Sequence, residues 1–344
     1  MDTSENIKKF MTYMETAFPS GKPEWTTHNG IVFAHEAFNI RCFSAQDDTI
    51  PTLIIPPQAG HSSHIADYDE GQSIVESIIE ERGGNVYAIE WLSCTHERRN
   101  ESIEDLILQV KIAVTSICNA HLVKNIHVIG LCQGGWLSAI VTSLIQDKIK
   151  TLTCIAAPIN FISKEDDGGA IHKMAKQVGI VNYKALVSLG NGRMLGDLML
   201  AGWKSTNFTD RYFTDYLKII NILDDEEKIR KTHRFRTWYE NTSNLAGNWY
   251  LYIIENLFIK NQLVKKEFIV NGEPIDIGNI TCPVVMIAGG NDEITLMDQL
   301  FVLGDYVSSE EKYAVTVPGV GHIGCFISKK SQKYIKESVK WADK

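Results

Sequence analysis

Short apolar runs alternate with longer helical patterns through the first half of the chain. Residues 52–55 (TLII) stop at Pro56-Pro57, and residues 86–89 (VYAI) follow Gly83-Gly84. Residues 126–129 (IHVI) stop at Gly130, and residues 152–156 (LTCIA) stop before Pro158. Each run is apolar at successive positions, which predicts strands covered by helices on both faces of a parallel sheet. Helical periodicity fills the gaps at about 71–82, 102–121 and 134–146, with Ile74 and Ile78 inward and Glu81 outward. Residues 31–35 and 38–44 predict an antiparallel hairpin at one sheet edge.

The rhythm breaks after Pro158. Residues 160–275 carry helical and loop patterns without a strand–helix–strand unit. Strands return at 283–288 (PVVMIA) and 312–317 (KYAVTV), and a helix follows at about 329–342. The expected architecture is α/β: a mostly parallel, doubly wound sheet in two parts, 1–159 and 276–344, interrupted by a largely helical cap at 160–275. Residues 200–260 hold 12 of the chain's 32 Phe, Tyr and Trp, about twice their share by length. Such a cluster suits an apolar cover over a pocket, and a small helical core explains it equally well. Trp203, Tyr212, Phe213 and Trp238 are its candidate substrate-binding positions.

Charge narrows the function classes. The net charge of −8 argues against broad nucleic-acid binding, which needs a basic face. Seven cysteines form no CxxC pair and no Cys/His ladder, so the thiols read as reduced and the protein as cytoplasmic. The 22 residues from Asn125 to Gln146 lack Asp, Glu, Lys and Arg, but Gly130, Gly134 and Gly135 interrupt them. They read as strand, turn and helix, and no transmembrane segment is expected.

That turn is Gly130-Leu131-Cys132-Gln133-Gly134, the nucleophile-elbow pattern of the α/β-hydrolase fold, with a thiol at the nucleophile position. The elbow needs glycines because its neighbours pack too closely for a Cβ. An acid and a histidine should follow in chain order. Asp292 lies 160 residues on, in Gly289-Gly290-Asn291-Asp292-Glu293 after a strand, with Glu293 as a rival acid. His322 lies in the glycine-rich loop 318–324 after the next strand. The oxyanion-hole candidates are the backbone N–H of Gln133 and one from Ala59, Gly60 or His61, in the loop after 52–55. His61 and His64 have no thiol or carboxylate at ligand spacing, so no metal is expected.

Together these residues resemble the polyhydroxyalkanoate synthase superfamily, nearest to the short catalytic subunit of two-subunit synthases. The blocks that carry the resemblance are Cys132-Gln-Gly-Gly135, Ile280-Thr-Cys-Pro-Val284, Pro318-Gly-Val-Gly-His-Ile-Gly324 and Asn85-Val-Tyr-Ala-Ile-Glu-Trp91. The resemblance implies a 3-hydroxyacyl-CoA or a polyester chain as substrate, with the coenzyme A thioester a substrate and no bound cofactor. Cys132 would be the acylated nucleophile and His322 its base. Asp292 would orient His322 or help to deprotonate the acceptor hydroxyl. A second synthase subunit or a homodimer, and a place in the cytoplasm or on polyester granules, are also implied. Two departures leave the acceptor open. The loop Gln58-Ala-Gly-His61 looks more like that of intracellular polyester depolymerases, and Glu293 stands where such synthases carry a histidine. A Cys-dependent hydrolase of polyester, oligoester or thioester is the alternative, and a non-enzymatic scaffold the third reading.

Overall fold

The computed structural model describes residues 3–45, 49–164, 169–205 and 214–343. Its centre is an eight-stranded sheet. The strands are β1 (Gly30–Ala34), β2 (Phe38–Ser44), β3 (Thr52–Ile55), β4 (Val86–Trp91), β5 (Ile126–Leu131), β6 (Ile149–Ile155), β7 (Val284–Gly289) and β8 (Lys312–Val317). They lie in the order β1-β2-β4-β3-β5-β6-β7-β8. The hairpin β1–β2 and the β2–β4 pair are antiparallel, and every other pairing is parallel.

Alternate residues of each strand feed two separate cores, which is why the runs are apolar at successive positions. Leu53 and Ile55 enter one core while Ile54 enters the other; Val284, Met286 and Ala288 oppose Val285 and Ile287 in the same way. The first core is closed by α3 (Ile103–His121) and α4 (Gln133–Ile145), the second by α2 (Ile74–Arg82) and the helix Lys329–Ala342. Local signals set the helix starts. Ser73 Oγ accepts from the Glu76 N–H before α2, and Ser102 and Asp105 form a reciprocal capping box before α3.

Two strand ends differ from the apolar pattern. β4 runs on to Trp91 because Glu90 is neutralised by Arg41 across the sheet, at 2.9 Å. β6 begins at Ile149 rather than 152 and stops at Ile155, since exposed Lys150 hid its first turn of the pleat.

Between Ile155 and Val284 the chain leaves the main sheet. The described part of 160–275 contains α5 (Ala170–Val178), α6 (Ile180–Leu189), α7 (Gly196–Ser205), α8 (Asp215–Ile220), α9 (Glu226–Glu240) and α10 (Gly247–Ile253). An unforeseen helix, α1 (Thr3–Ala17), packs on α8 and α9. Arg236 of α9 donates to the Ala17 carbonyl at 2.8 Å and sits over the Tyr216 ring. The helix shows Ile7, Phe10 and Met11 to solvent, so its apolar stripe does not mark its buried side.

Candidate active site

Four loops converge at the C-terminal edge of the parallel strands, where doubly wound sheets place their chemistry. The loop after β5 is the elbow. Cys132 has φ 49° and ψ −114°, a backbone conformation costly for a side-chain-bearing residue and typical of a strained strand-to-helix turn. Its N–H is held by the Ile155 carbonyl at 2.9 Å. The glycines around it are sterically required. A Cβ on Gly134 would lie 2.0 Å from the Ile55 carbonyl oxygen. On Gly130 and Gly135 it would lie 2.4 Å from the Gly134 oxygen and 2.2 Å from the Ala157 Cβ. The pattern read from sequence is therefore what lets α4 start directly against β3 and β6.

The loops after β7 and β8 are pinned together by backbone bonds from Gly290 N–H to Val317 and from Asn291 N–H to Val320. They bring His322 Nδ1 to 2.8 Å from Asp292 Oδ2, with both side chains buried. Asp292 Oδ1 accepts from the N–H groups of Ile294 and Thr295, each at 2.9 Å. Glu293 is exposed, so the structure joins Asp292, not its neighbour, to the histidine. Burial alone would lower the His322 pKa. The charge and hydrogen bond of the Cys132 side chain, with the bond to Asp292, outweigh it and lift the imidazole to about 10. Cys132, His322 and Asp292 thus form one connected chain. Since Asp292 occupies Nδ1, the other ring nitrogen serves Cys132.

The loop after β3 contributes Ala59, Gly60 and His61. It is tied to the segment behind α9: Ser243 N–H donates to the Gly60 carbonyl at 2.8 Å, and His61 pairs with Thr242 in a β-bridge. The His61 ring stacks on Trp238 and Tyr239, with centroids 4.9 and 5.2 Å away. Burial pushes its pKa down to about 4, so it is neutral at pH 7. His64 turns elsewhere, to Ser62 and the Trp25 ring, so the His61/His64 spacing does not form a pair of ligands. Gln133 opens α4, and its N–H precedes any turn that could accept it.

Of the aromatic candidates, Trp238 lies in the apolar cluster on which Cys132 packs, while half-buried Trp203 packs on the other core. Tyr212 and Phe213 lie outside the described residues. Tyr239 went unnoticed in the sequence, although it adjoins Trp238 in the same aromatic cluster. The remaining cysteines are not at the elbow. Cys94, Cys118, Cys154 and Cys325 are buried, and burial pushes up the thiols of partly buried Cys42 and Cys282.

A family model described as "Protein of unknown function (DUF3141)" matches residues 40–342. The chain belongs to this DUF3141 family. Its curated relatives include the poly(3-hydroxyalkanoate) polymerase subunit PhaC of Synechocystis sp., 26% identical over 84% of this chain and 76% of that protein. The PhaC subunit of Allochromatium vinosum is 25% identical over 85% of this chain and 80% of its own length. The resemblance to polyhydroxyalkanoate synthases thus extends along most of this DUF3141 chain. Among solved structures, an epoxide hydrolase of Bacillus megaterium aligns with a TM-score of 0.52 at 11% identity, covering 89% of this chain and 98% of its own. An esterase of Thermogutta terrifontis aligns at 0.50 and 12% identity, covering 92% of this chain and 100% of its own. At such identities the likeness is one of fold, and the fold is that of the α/β-hydrolases.

Proposed function

We propose that the protein is an acyltransferase of the polyhydroxyalkanoate synthase type, working through an acyl-enzyme on Cys132. The observation that carries this reading is a cysteine at a strained elbow, coupled to a buried His322–Asp292 pair. The Cys132 proton passes to His322, and the thiolate adds to the thioester carbonyl of a 3-hydroxyacyl-CoA. The N–H of Gln133 and an N–H from Ala59, Gly60 or His61 steady the resulting oxyanion. Its collapse breaks the bond to the coenzyme A sulfur, which takes the proton from His322. In the second half, His322 accepts the proton of an acceptor hydroxyl as that oxygen displaces Cys132. Exchange of one thioester for another costs little free energy, so the thiol suits this substrate. Asp292, whose Oδ2 accepts from His322 Nδ1 and whose Oδ1 is taken by two backbone N–H groups, orients His322 in this scheme.

The site requires coenzyme A thioester as a substrate only, and no bound cofactor. A second synthase subunit or a second copy of the chain, and a place in the cytoplasm or on polyester granules, belong to the same proposal. The division into a core and a cap at 160–275 does too, with Trp238 and Trp203 as the described candidates for contact with the acyl group. The Gln58–His61 loop favours the second reading, in which water replaces the acceptor hydroxyl and the enzyme is a hydrolase. Incubation with 3-hydroxybutyryl-CoA separates the two. Free coenzyme A with growing polyester supports transfer, coenzyme A with an equal amount of free 3-hydroxybutyrate supports hydrolysis, and no coenzyme A release overturns both.

A further inference from the structure

Helix α1 turns its apolar side outward. Ile7, Phe10, Met11, Met14 and Phe18 are each between 40% and 63% exposed, whereas Thr16 and Ala17 on the opposite side are buried. The helical spiral reaches Phe18, whose N–H bonds to the Met14 carbonyl at 2.9 Å. α8 lies alongside: Lys9 pairs with Asp224 at 2.7 Å towards one end of α1, and the Phe18 ring meets Tyr216 at 5.6 Å at the other. It adds Leu217 and Ile220, both more than half exposed. These seven side chains present about 700 Å² of apolar surface. That exceeds the largest patch of an ordinary soluble monomer, about 300–600 Å², and approaches the roughly 800 Å² that each partner gives to a stable interface.

The spacing of the stripe says what shape covers it. Ile7, Met11, Met14 and Phe18 follow one another at intervals of four, three and four residues, the seam of a two-helix coiled coil. A second α1 laid antiparallel across it sets Ile7 against Phe18 of the other copy and Met11 against Met14. Such a pairing is two-fold symmetric, so every contact is made twice. Charge fits the same register. Lys8 and Glu15, two turns apart on one flank of the seam, are exposed and have no ionic partner among the described residues. In the antiparallel pair, Lys8 of each copy falls beside Glu15 of the other; a parallel pair would bring Phe10 there instead. An anionic lipid surface fits less well, because α1 carries two lysines and two glutamates and so no net positive charge.

We propose that α1, with Leu217 and Ile220 beside it, is the contact surface for a second copy of this chain, the two α1 helices packing antiparallel along the stripe. α1 lies outside residues 40–342, which the family model matches, and the inference does not depend on the chemistry of Cys132.

The test is sedimentation velocity of the full chain over a range of concentrations. The natural sequence should sediment with twice the mass of one chain and dissociate reversibly on dilution. Met14→Glu places a charge in the apolar seam of both copies and should weaken association at least about 100-fold. Lys8→Glu or Glu15→Lys alone sets like charges together twice per dimer and should weaken it roughly tenfold, while both changes in one chain restore it. All three positions are exposed, so the fold should survive these changes, which an unaltered circular dichroism spectrum checks. A chain that stays monomeric at every concentration overturns the proposal. So does a dimer that Met14→Glu leaves intact, because the contact then lies elsewhere. A charge-swapped chain no tighter than the single variants overturns it too, because the register is then wrong. Monomers that instead bind poly(3-hydroxybutyrate) particles or phosphatidylglycerol vesicles, and lose that binding in Met14→Glu, assign the stripe to a polymer or lipid surface and overturn it as well.

Discussion

Replacing Asp292 with Asn removes a single charge while keeping the shape of the side chain. The carboxylate now does two things: Oδ1 accepts from the Ile294 and Thr295 N–H groups, and Oδ2 accepts from His322 Nδ1 at 2.8 Å. In the variant, the amide oxygen keeps the two backbone donors, since an amide nitrogen there would oppose two N–H groups. The amide N–H then faces Nδ1, which must become an acceptor. The ring proton moves to the nitrogen serving Cys132, where it can no longer receive the thiol proton. The imidazolium also loses a charge that holds its pKa up. A tautomer error of this kind costs about 10³- to 10⁴-fold in rate, or about 4–5.5 kcal/mol of transition-state stabilisation. The assay is pre-steady-state release of coenzyme A from 3-hydroxybutyryl-CoA, with inactivation by iodoacetamide as a second readout of thiol ionisation. Glu293→Gln, at an exposed neighbour, should stay within about threefold of normal. A loss below tenfold in Asp292→Asn would refute the reasoning and leave Asp292 as a loop-forming residue.

Three other outcomes follow from the geometry. Gly134→Ala places a Cβ 2.0 Å from a backbone oxygen of β3, which cannot swing aside; unfolding free energy should drop by about 3 kcal/mol or more in urea titrations, and a drop below about 1 would contradict the close approach. Iodoacetamide at neutral pH should label Cys132 first, because Cys325 is fully buried with its thiol pushed up by burial; faster labelling of Cys325 would reverse the assignment. His61 and His64 are held down at about 4, so between pH 6.5 and 4 the unfolded chain takes up protons that the folded rings refuse. Stability should therefore fall with acidification over that window, by on the order of 2–3 kcal/mol per ring, and His61→Phe should flatten the slope; an unchanged slope would mean that His61 protonates freely in the fold.

The positions of the strands along the chain and the elbow were legible because strict steric and burial rules write them into the sequence. Runs buried on both faces leave no polar alternation, and Gly130, Gly134 and Gly135 cannot carry a side chain where they stand. Asp292 and His322 followed from their places after β7 and β8. The sequence said less where partners arrive from far away. The apolar runs at 86–89 and 152–156 leave out Glu90 and Lys150, yet the strands include both: one is paired by Arg41 and the other faces solvent. The helix Thr3–Ala17 escaped because its apolar stripe is exposed, while Thr16 and Ala17 are its buried positions. The aromatic cluster does not tell its members apart: Trp238 meets the loop of His61, whereas Trp203 packs on the opposite core.

The central claim is that Cys132 carries the acyl group. The most direct measurement is a rapid acid quench after mixing the protein with 3-hydroxybutyryl-CoA, followed by intact mass and peptide mapping. The account predicts one 3-hydroxybutyryl group per chain, on the peptide containing Cys132, absent in Cys132→Ala along with coenzyme A release. An adduct on Cys42, Cys282 or Cys325, or full coenzyme A release by Cys132→Ala, would contradict it.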